Sequence, residues 1–233
     1  MRKNGASGKG TGTATKAVRR APRPATRKGQ VTKDAILDVA KALASRVGLD
    51  GLTIGGLATE LRMSKSGLFA HFRSKEDVQI GLLRYMAQFA RAHVVQPAMS
   101  ADEGLPRLKA LVRNWFGWAQ RAGLPGGCPV AAGLFEFDDV EGAVRNEILV
   151  MESEWRGLLK QLVQKASDRG HLRQDLDVDQ FVWELCGIYL SHHTAHRFLH
   201  AADADRRANT AFQALLEHAL PIPGERKVTK RVK

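Results

Sequence analysis

Leu52-Thr53-Ile54-Gly55-Gly56-Leu57-Ala58-Thr59-Glu60-Leu61-Arg62-Met63-Ser64-Lys65-Ser66-Gly67-Leu68-Phe69-Ala70-His71-Phe72-Arg73-Ser74-Lys75-Glu76-Asp77 is the stretch that decides how this chain folds. Thr53, Ser64 and Ser74 are side chains that cap helix N-termini, and each stands just before a helix-compatible run. They predict a short helix to about Leu61, a second ending near His71 and a longer third beginning at Lys75. Two short helices joined by about four residues form a helix-turn-helix, which lays its second helix in the DNA major groove. Ala58 is small where the two helices cross. Leu57, Leu61, Met63, Leu68 and Phe72 supply the small core that fixes their angle. The second helix presents Lys65, Ser66 and His71 and carries no acid, and its N-terminal N–H groups and dipole suit a phosphate.

Outward from this unit the apolar periodicity is helical, with no convincing alternation of period two. Upstream, Ile36, Val39, Ala40, Leu43 and Val47 mark one face of a helix over about 33–47, stopped at Gly48. Downstream, Val78, Leu82, Tyr85 and Phe89 face inward from a helix over about 75–94, which Pro97 is expected to end. Leu105, Leu108, Val112, Trp115 and Ala119 form the next stripe. A short helix follows over about 129–138, and a long one carries Ile148, Met151, Trp155, Leu158, Leu162 and Ala166 before Gly170. Val178, Val182, Leu185, Tyr189, His192, His196 and Leu199 repeat with heptad spacing, and Ala208 to Ala219 makes the last helix before Pro221. The expectation is an all-α protein of about nine helices.

Charge divides the chain. Lys and Arg number 36 against 24 Asp and Glu, a net +12 over 233 residues. Residues 1–30 hold nine basic groups and no acid, and residues 222–233 hold five against Glu225. The interior is close to neutral. A basic front end implies a polyanionic partner. Residues 1–30 have almost no large apolar side chain and read as a disordered basic arm, either solubilising or phosphate-attracting. The Gly5–Thr11 run resembles a phosphate loop but lacks the Gly-Lys-Ser/Thr ending and a preceding strand. At 44% hydrophobic content the chain has enough apolar surface for a core. No apolar run is long enough to span a membrane, and no h-region of a secretory signal is visible. Two cysteines, Cys128 and Cys186, are too few for a disulfide framework. A cytoplasmic protein is expected.

The run Leu52–Asp77 resembles the N-terminal domain of the tetracycline-repressor (TetR) family of bacterial transcriptional regulators. It is similar to the family's Ser-Lys-x-x-Leu-Tyr-x-(His/Tyr)-Phe-x-x-Lys pattern, preceded by an Ile/Leu-Ala-x-x-x-Gly turn. With the upstream helix the match covers roughly residues 33–80. The resemblance implies that Thr53 and Lys75 contact backbone phosphates and that Ser64, Lys65, Ser66 and Gly67 face the groove. Lys65 is the best candidate for a base contact, with guanine as its target. His71 is placed either to reach a phosphate or to pack on the domain surface. Two positions depart from the pattern. Arg62 stands where the family usually has glycine, and a slightly altered turn is expected, with the guanidinium free for a phosphate. Phe69 stands at a DNA-facing position often held by Tyr, so one hydroxyl-to-phosphate bond is lost. The resemblance further implies a homodimer on a near-palindromic operator.

It also divides the chain into an arm (1–30), a DNA-binding domain (31–76), a helical ligand-binding and dimerisation domain (77–221) and a basic tail (222–233). Trp115, Trp118, Cys128, Phe135, Phe137, Trp155, Trp183 and Tyr189 are candidates either for ordinary core or for the wall of an apolar effector pocket. The last two helices, about 177–200 and 204–219, are the expected dimer pair. His192, His196 and His200 stack at i, i+4, i+8 with His193 beside them. They read either as polar interface or pocket histidines or as part of a zinc site that nothing nearby in sequence completes, so no metal is expected. Cys128 opens a helix whose dipole is expected to lower its pKa; it reads either as a redox or electrophile sensor or, in preference, as a plain buried thiol. Glu136, Asp138, Asp139 and Glu141 read as a solvated helix end. No nucleophile–base pair or cofactor fingerprint is present, so the chain reads as a regulator rather than an enzyme. The expected function is a repressor that a small effector releases from its operator. The alternative is a basic-tailed, largely non-specific DNA-binding protein.

Overall fold

The computed structural model describes residues 27–221, and among these every regular element is helical. The expected arm over most of its length, residues 1–26, and the basic tail 222–233 lie outside the described residues. The helices run α1 (Arg27–Val47), α2 (Ile54–Glu60), α3 (Lys65–Phe69), α4 (Lys75–Ala90), α5 (Gln96–Ala98), α6 (Leu105–Trp115), α7 (Trp118–Arg121), α8 (Pro129–Glu136), α9 (Ala143–Asp168), α10 (Val178–Arg197) and α11 (Ala204–Ala219).

Four starts are fixed by side chains that accept the backbone N–H three residues on. Thr53 accepts from Gly56, Ser64 from Gly67 and Ser74 from Asp77, each at 3.0 Å, and Asp177 from Gln180 at 2.9 Å. The Asp77 carboxylate in turn accepts the Arg73 N–H at 3.0 Å, which fixes the entry into α4.

Three boundaries differ from the sequence reading. The 105–119 stripe is two helices, because Gly117 turns left-handed at φ +68° after an extended Phe116. Pro97 does not end α4. A wide π-helical turn over Arg91–Val95 precedes it and accommodates the missing N–H, and the chain continues helical to Ala98. Asn114 Nδ2 donates to the Val94 carbonyl at 3.2 Å within this turn. Helix α1 begins at Arg27, before residue 33, and its inward set is Ile36, Leu37, Ala40 and Ala44, whereas Val47 is exposed.

One continuous apolar core runs from the helix-turn-helix into the helical body. Phe72, Leu57 and Leu68 are fully buried beneath α2 and α3. Helix α4 leaves this unit and lies on α1 and on the long α9, which also meets α6, α8 and α10, while α10 pairs with α11. Gly81 lets α4 come close, since a Cβ there would sit 3.3 Å from the Phe72 ring. Helices α2 and α3 are thereby held out at one end, with their outer face uncovered.

Candidate nucleic-acid interface

Helix α2 ends in a Schellman turn. Met63 N donates to the Ala58 carbonyl at 2.9 Å and Arg62 N to the Thr59 carbonyl at 3.0 Å. Arg62 sits in the turn's left-handed position at φ +53°. The turn is therefore the ordinary one rather than an altered one, and arginine adopts the strained conformation at a cost of about 1 kcal/mol relative to glycine. Its side chain is exposed beside α3.

Helix α3 buries Leu68 and turns Lys65, Ser66, Phe69 and Ala70 outward. Phe69 is 49% exposed, a large apolar ring on an otherwise polar face. Gly67 and His71 are half-buried. The Ser64 hydroxyl accepts the Gly67 N–H and lies 3.0 Å from the Ser66 hydroxyl, so it first serves as a cap. Thr53 is exposed, with its hydroxyl accepting at the α2 start. The Lys65 stem crosses the bare Cα of Gly55, where a Cβ would sit 3.4 Å from its Cε. That steric opening for Lys65 is a role of Gly55 that sequence reasoning missed. The Lys75 ammonium is bonded to the Asp50 carboxylate at 2.8 Å and to the Asp50 carbonyl. From Leu61 to Lys75 the chain has four Arg and Lys and no acid, so the face has positive potential.

Other residues hold this unit to the body. Glu136 is not a solvated helix end. Its carboxylate accepts the Asp50 N–H at 2.8 Å and fills the space over Gly48, which sits at φ +83°. Ser45 Oγ donates to the Gly127 carbonyl at 2.9 Å and accepts the Gly126 N–H at 2.8 Å. Arg197 donates to the Arg46 carbonyl at 2.7 Å. Arg84 pairs with Glu147 through two bonds of 2.9 and 2.8 Å, and that pair holds the Glu147 carboxyl below its usual range. These contacts join residues 63 to 151 positions apart, and no local pattern announces them.

The expected pocket aromatics divide. Trp115 stacks on Tyr189 at 4.2 Å and meets Trp155 edge-on at 4.8 Å, while Trp118 Nε1 donates to the Tyr189 hydroxyl at 3.3 Å. Phe137 is buried in the core near the end of α8. Phe135 and Trp183 are instead on the surface, 58% and 67% exposed. Inward positions of α10 are Phe181, Val182, Leu185 and Tyr189, which rotates Trp183 outward. Cys128 is buried, and burial pushes its thiol pKa up despite its place at the start of α8, so the dipole does not dominate. Burial likewise pushes Cys186 up to about 11. His192 is buried, stacks on Phe116 and bonds Asp205 at 2.7 Å, while His196 bonds Gln120 at 3.1 Å. His200 and Leu199 lie beyond the end of α10, and His200 sits at φ +50°. Within the stripe His192 and His196 join α10 to Asp205 and Gln120, and no metal-type cluster occurs among the described residues. No described helix is long and apolar enough to cross a membrane.

Sequence-family comparison matches residues 36–79 to the bacterial regulatory proteins of the tetR family and residues 104–212 to the tetracyclin repressor-like C-terminal domain. Among curated protein sequences none matches. A TetR transcriptional regulator from Chloroflexus aurantiacus superposes with TM-score 0.73 at 25% identity, over 83% of this chain and 96% of that one. A TetR-family regulator from Cytophaga hutchinsonii gives 0.72 at 17% identity, over 85% and 100%. AibR, solved with isovaleryl coenzyme A and operator DNA, gives 0.63 at 21% identity, over 82% and 99%. With its capped helix-turn-helix and the helical body behind it, the chain belongs to the tetracycline-repressor family of transcriptional regulators, DNA-binding factors rather than enzymes.

Proposed function

We infer that this regulator is a cytoplasmic repressor, bound as a homodimer to a near-palindromic operator and released when a small effector enters its helical body. The observation that carries this reading is the outer face of α3, where Lys65, Ser66 and Phe69 are exposed on a surface without acid. Residues 31–76 are the DNA-reading part. Lys65 reads a base, with guanine as the preferred partner. Ser66 and Gly67 approach the groove edge and Phe69 adds apolar contact. Thr53, Arg62 and His71 hold phosphates, and so does Lys75 once it exchanges Asp50 for the backbone. Ser64 contributes mainly by fixing the start of α3.

Residues 77–221 bind the effector and the second protomer. Trp183 on α10 and Phe198 just past its end, 67% and 78% exposed, together with the pairing of α10 with α11, support a dimer face at these two helices. The aromatic cluster around Trp115, Trp118, Trp155 and Tyr189 supports an effector site beside Cys128, and the buried Trp155 indole N–H has no hydrogen-bond partner there. AibR, with its coenzyme A thioester and operator, is a precedent in a similar fold for small-molecule and DNA binding by one chain.

The test is retention of the DNA upstream of the protein's own gene across a salt series, with and without residues 1–26, which precede α1. The repressor reading expects the truncated chain to keep its preference for one site while affinity and salt slope fall. Loss of nearly all binding on truncation would favour the non-specific alternative.

A further inference from the structure

A small cleft opens beside the Trp118–Tyr189 pair. Gln120, Gly127 and Cys128 bound one side, and His192, His193, His196 and Arg197 of α10 bound the other. Its free volume is about 20 Å³, room for one water molecule. The polar wall is made of imidazoles and a guanidinium. Asp205 of α11 pairs with His192, and Arg121 of α7 stands near Asp205. His193 feels Arg197, His192 and His196, and burial and these neighbours hold its pKa below the ordinary value.

Arg197 also belongs to a second structure. It crosses the Gly126–Gly127 loop and donates to the Arg46 carbonyl at the end of α1. The loop is bare because nothing larger fits. A Cβ on Gly127 would sit 2.8 Å from His193 Cε1 and 3.2 Å from Arg197 Cδ, and one on Gly126 would meet the Ser45 carbonyl oxygen at 1.9 Å. Arg46 in turn pairs with Glu60 of α2, and the same corner carries Asp50, held by Glu136 on one side and holding Lys75 on the other. Arg197 thus holds the same end of α1 that pairs with α2 at the base of the helix-turn-helix.

We propose that this cleft receives the oxyanion of a small effector, a carboxylate or a phosphate, and that the anion draws Arg197 off the Arg46 carbonyl, loosening α1 and the DNA-reading helices it supports. The proposal rests on the effector-responsive reading above and names its ligand chemistry and its route. Guanidinium forks bind both oxyanions with two parallel bonds. A ligand gains leverage only through its different affinity for the two positions of that side chain.

The test uses the full chain labelled with ¹⁵N-histidine, titrated with hexanoate, with inorganic phosphate and with neutral hexanol, sodium chloride at equal ionic strength being the reference. Hexanoate or phosphate is expected to shift the His193 and His196 signals saturably, and which of the two does so identifies the source of the anion. Hexanol is expected to leave them unmoved. Arg197→Gln is expected to weaken anion binding at least tenfold and, without anion, to bind operator several-fold more weakly while melting cooperatively. Arg197→Lys, which keeps the charge without the fork, is expected to fall between. Equal responses to hexanol, or unchanged anion affinity in Arg197→Gln, would overturn the site. Saturable binding with unchanged operator affinity would overturn the Arg197 route. A neutral compound that releases operator without moving these imidazoles would overturn the anion chemistry and leave effector responsiveness standing. Operator retention indifferent to every small molecule would sink the broader reading instead.

Discussion

The helix-turn-helix and the aromatic centre of the helical body are both built around buried apolar groups, yet they are held by contacts of very different range. In the first, each decisive bond spans three to five residues: Thr53 to Gly56, Ser64 to Gly67, Met63 to Ala58. In the second, Trp115 stacks on Tyr189 and Trp118 bonds the same ring, across more than 70 residues of chain. Local chemistry thus fixes the shape of the helix-turn-helix, and tertiary packing fixes the helical body behind it. The first can be conserved in form while the second is reshaped, since its contacts tolerate any sequence that fills the same volume.

The largest way to break this contrast is Leu68→Ala. Leu68 is fully buried and anchors a five-residue helix, so about 2–5 kcal/mol of stability should be lost, with DNA retention, in chemical denaturation and binding side by side. Lys65→Ala comes next. It should leave the melting curve in place and weaken operator binding by about 1–3 kcal/mol, with a much smaller loss on random DNA. An equal loss on both would assign Lys65 to phosphate instead.

Arg62→Gly sharpens the contrast in the opposite direction. Relief of the φ +53° conformation should raise stability by about 1 kcal/mol, and removal of the guanidinium should lower the salt slope of DNA binding by about one. The smallest effect belongs to the body. Burial, reinforced by Arg197, His192 and His196, depresses the folded-state pKa of His193 below its free value of 6.5. Below that value the unfolded chain takes up the proton first, so the contribution is complete above pH 6.5 and is lost as pH falls toward the depressed folded value. His193→Gln should flatten the stability-versus-pH curve in that window, and an unchanged slope would place the titration elsewhere.

Legibility in sequence followed the same division. Thr53, Ser64 and Ser74 announced their caps because each acts within its own turn. Arg62 was legible as an anomaly but not in its outcome, since whether the turn bends or the residue strains depends on how firmly Leu57, Leu68 and Phe72 hold the two helices. Gly117 and Pro97 were visible as residues, but the break at one and the π turn before the other come from packing of the body. Trp183 and Phe135 look like core by type and are surface by phase. Glu136, Ser45 and Arg197 gave no signal, because their partners at Asp50, Gly126, Gly127 and Arg46 are distant in sequence and every one of these bonds goes to a backbone group.

The central claim is that two copies of α3 occupy successive major grooves. Dimethyl sulfate footprinting of guanine N7 on the upstream DNA tests it directly. Wild-type protein should protect guanines in two patches whose centres lie about 10–10.5 base pairs, or a multiple, apart, and Lys65→Ala should lose one guanine from each patch symmetrically. Protection spread evenly along the fragment, or two patches unchanged by Lys65→Ala, would contradict it.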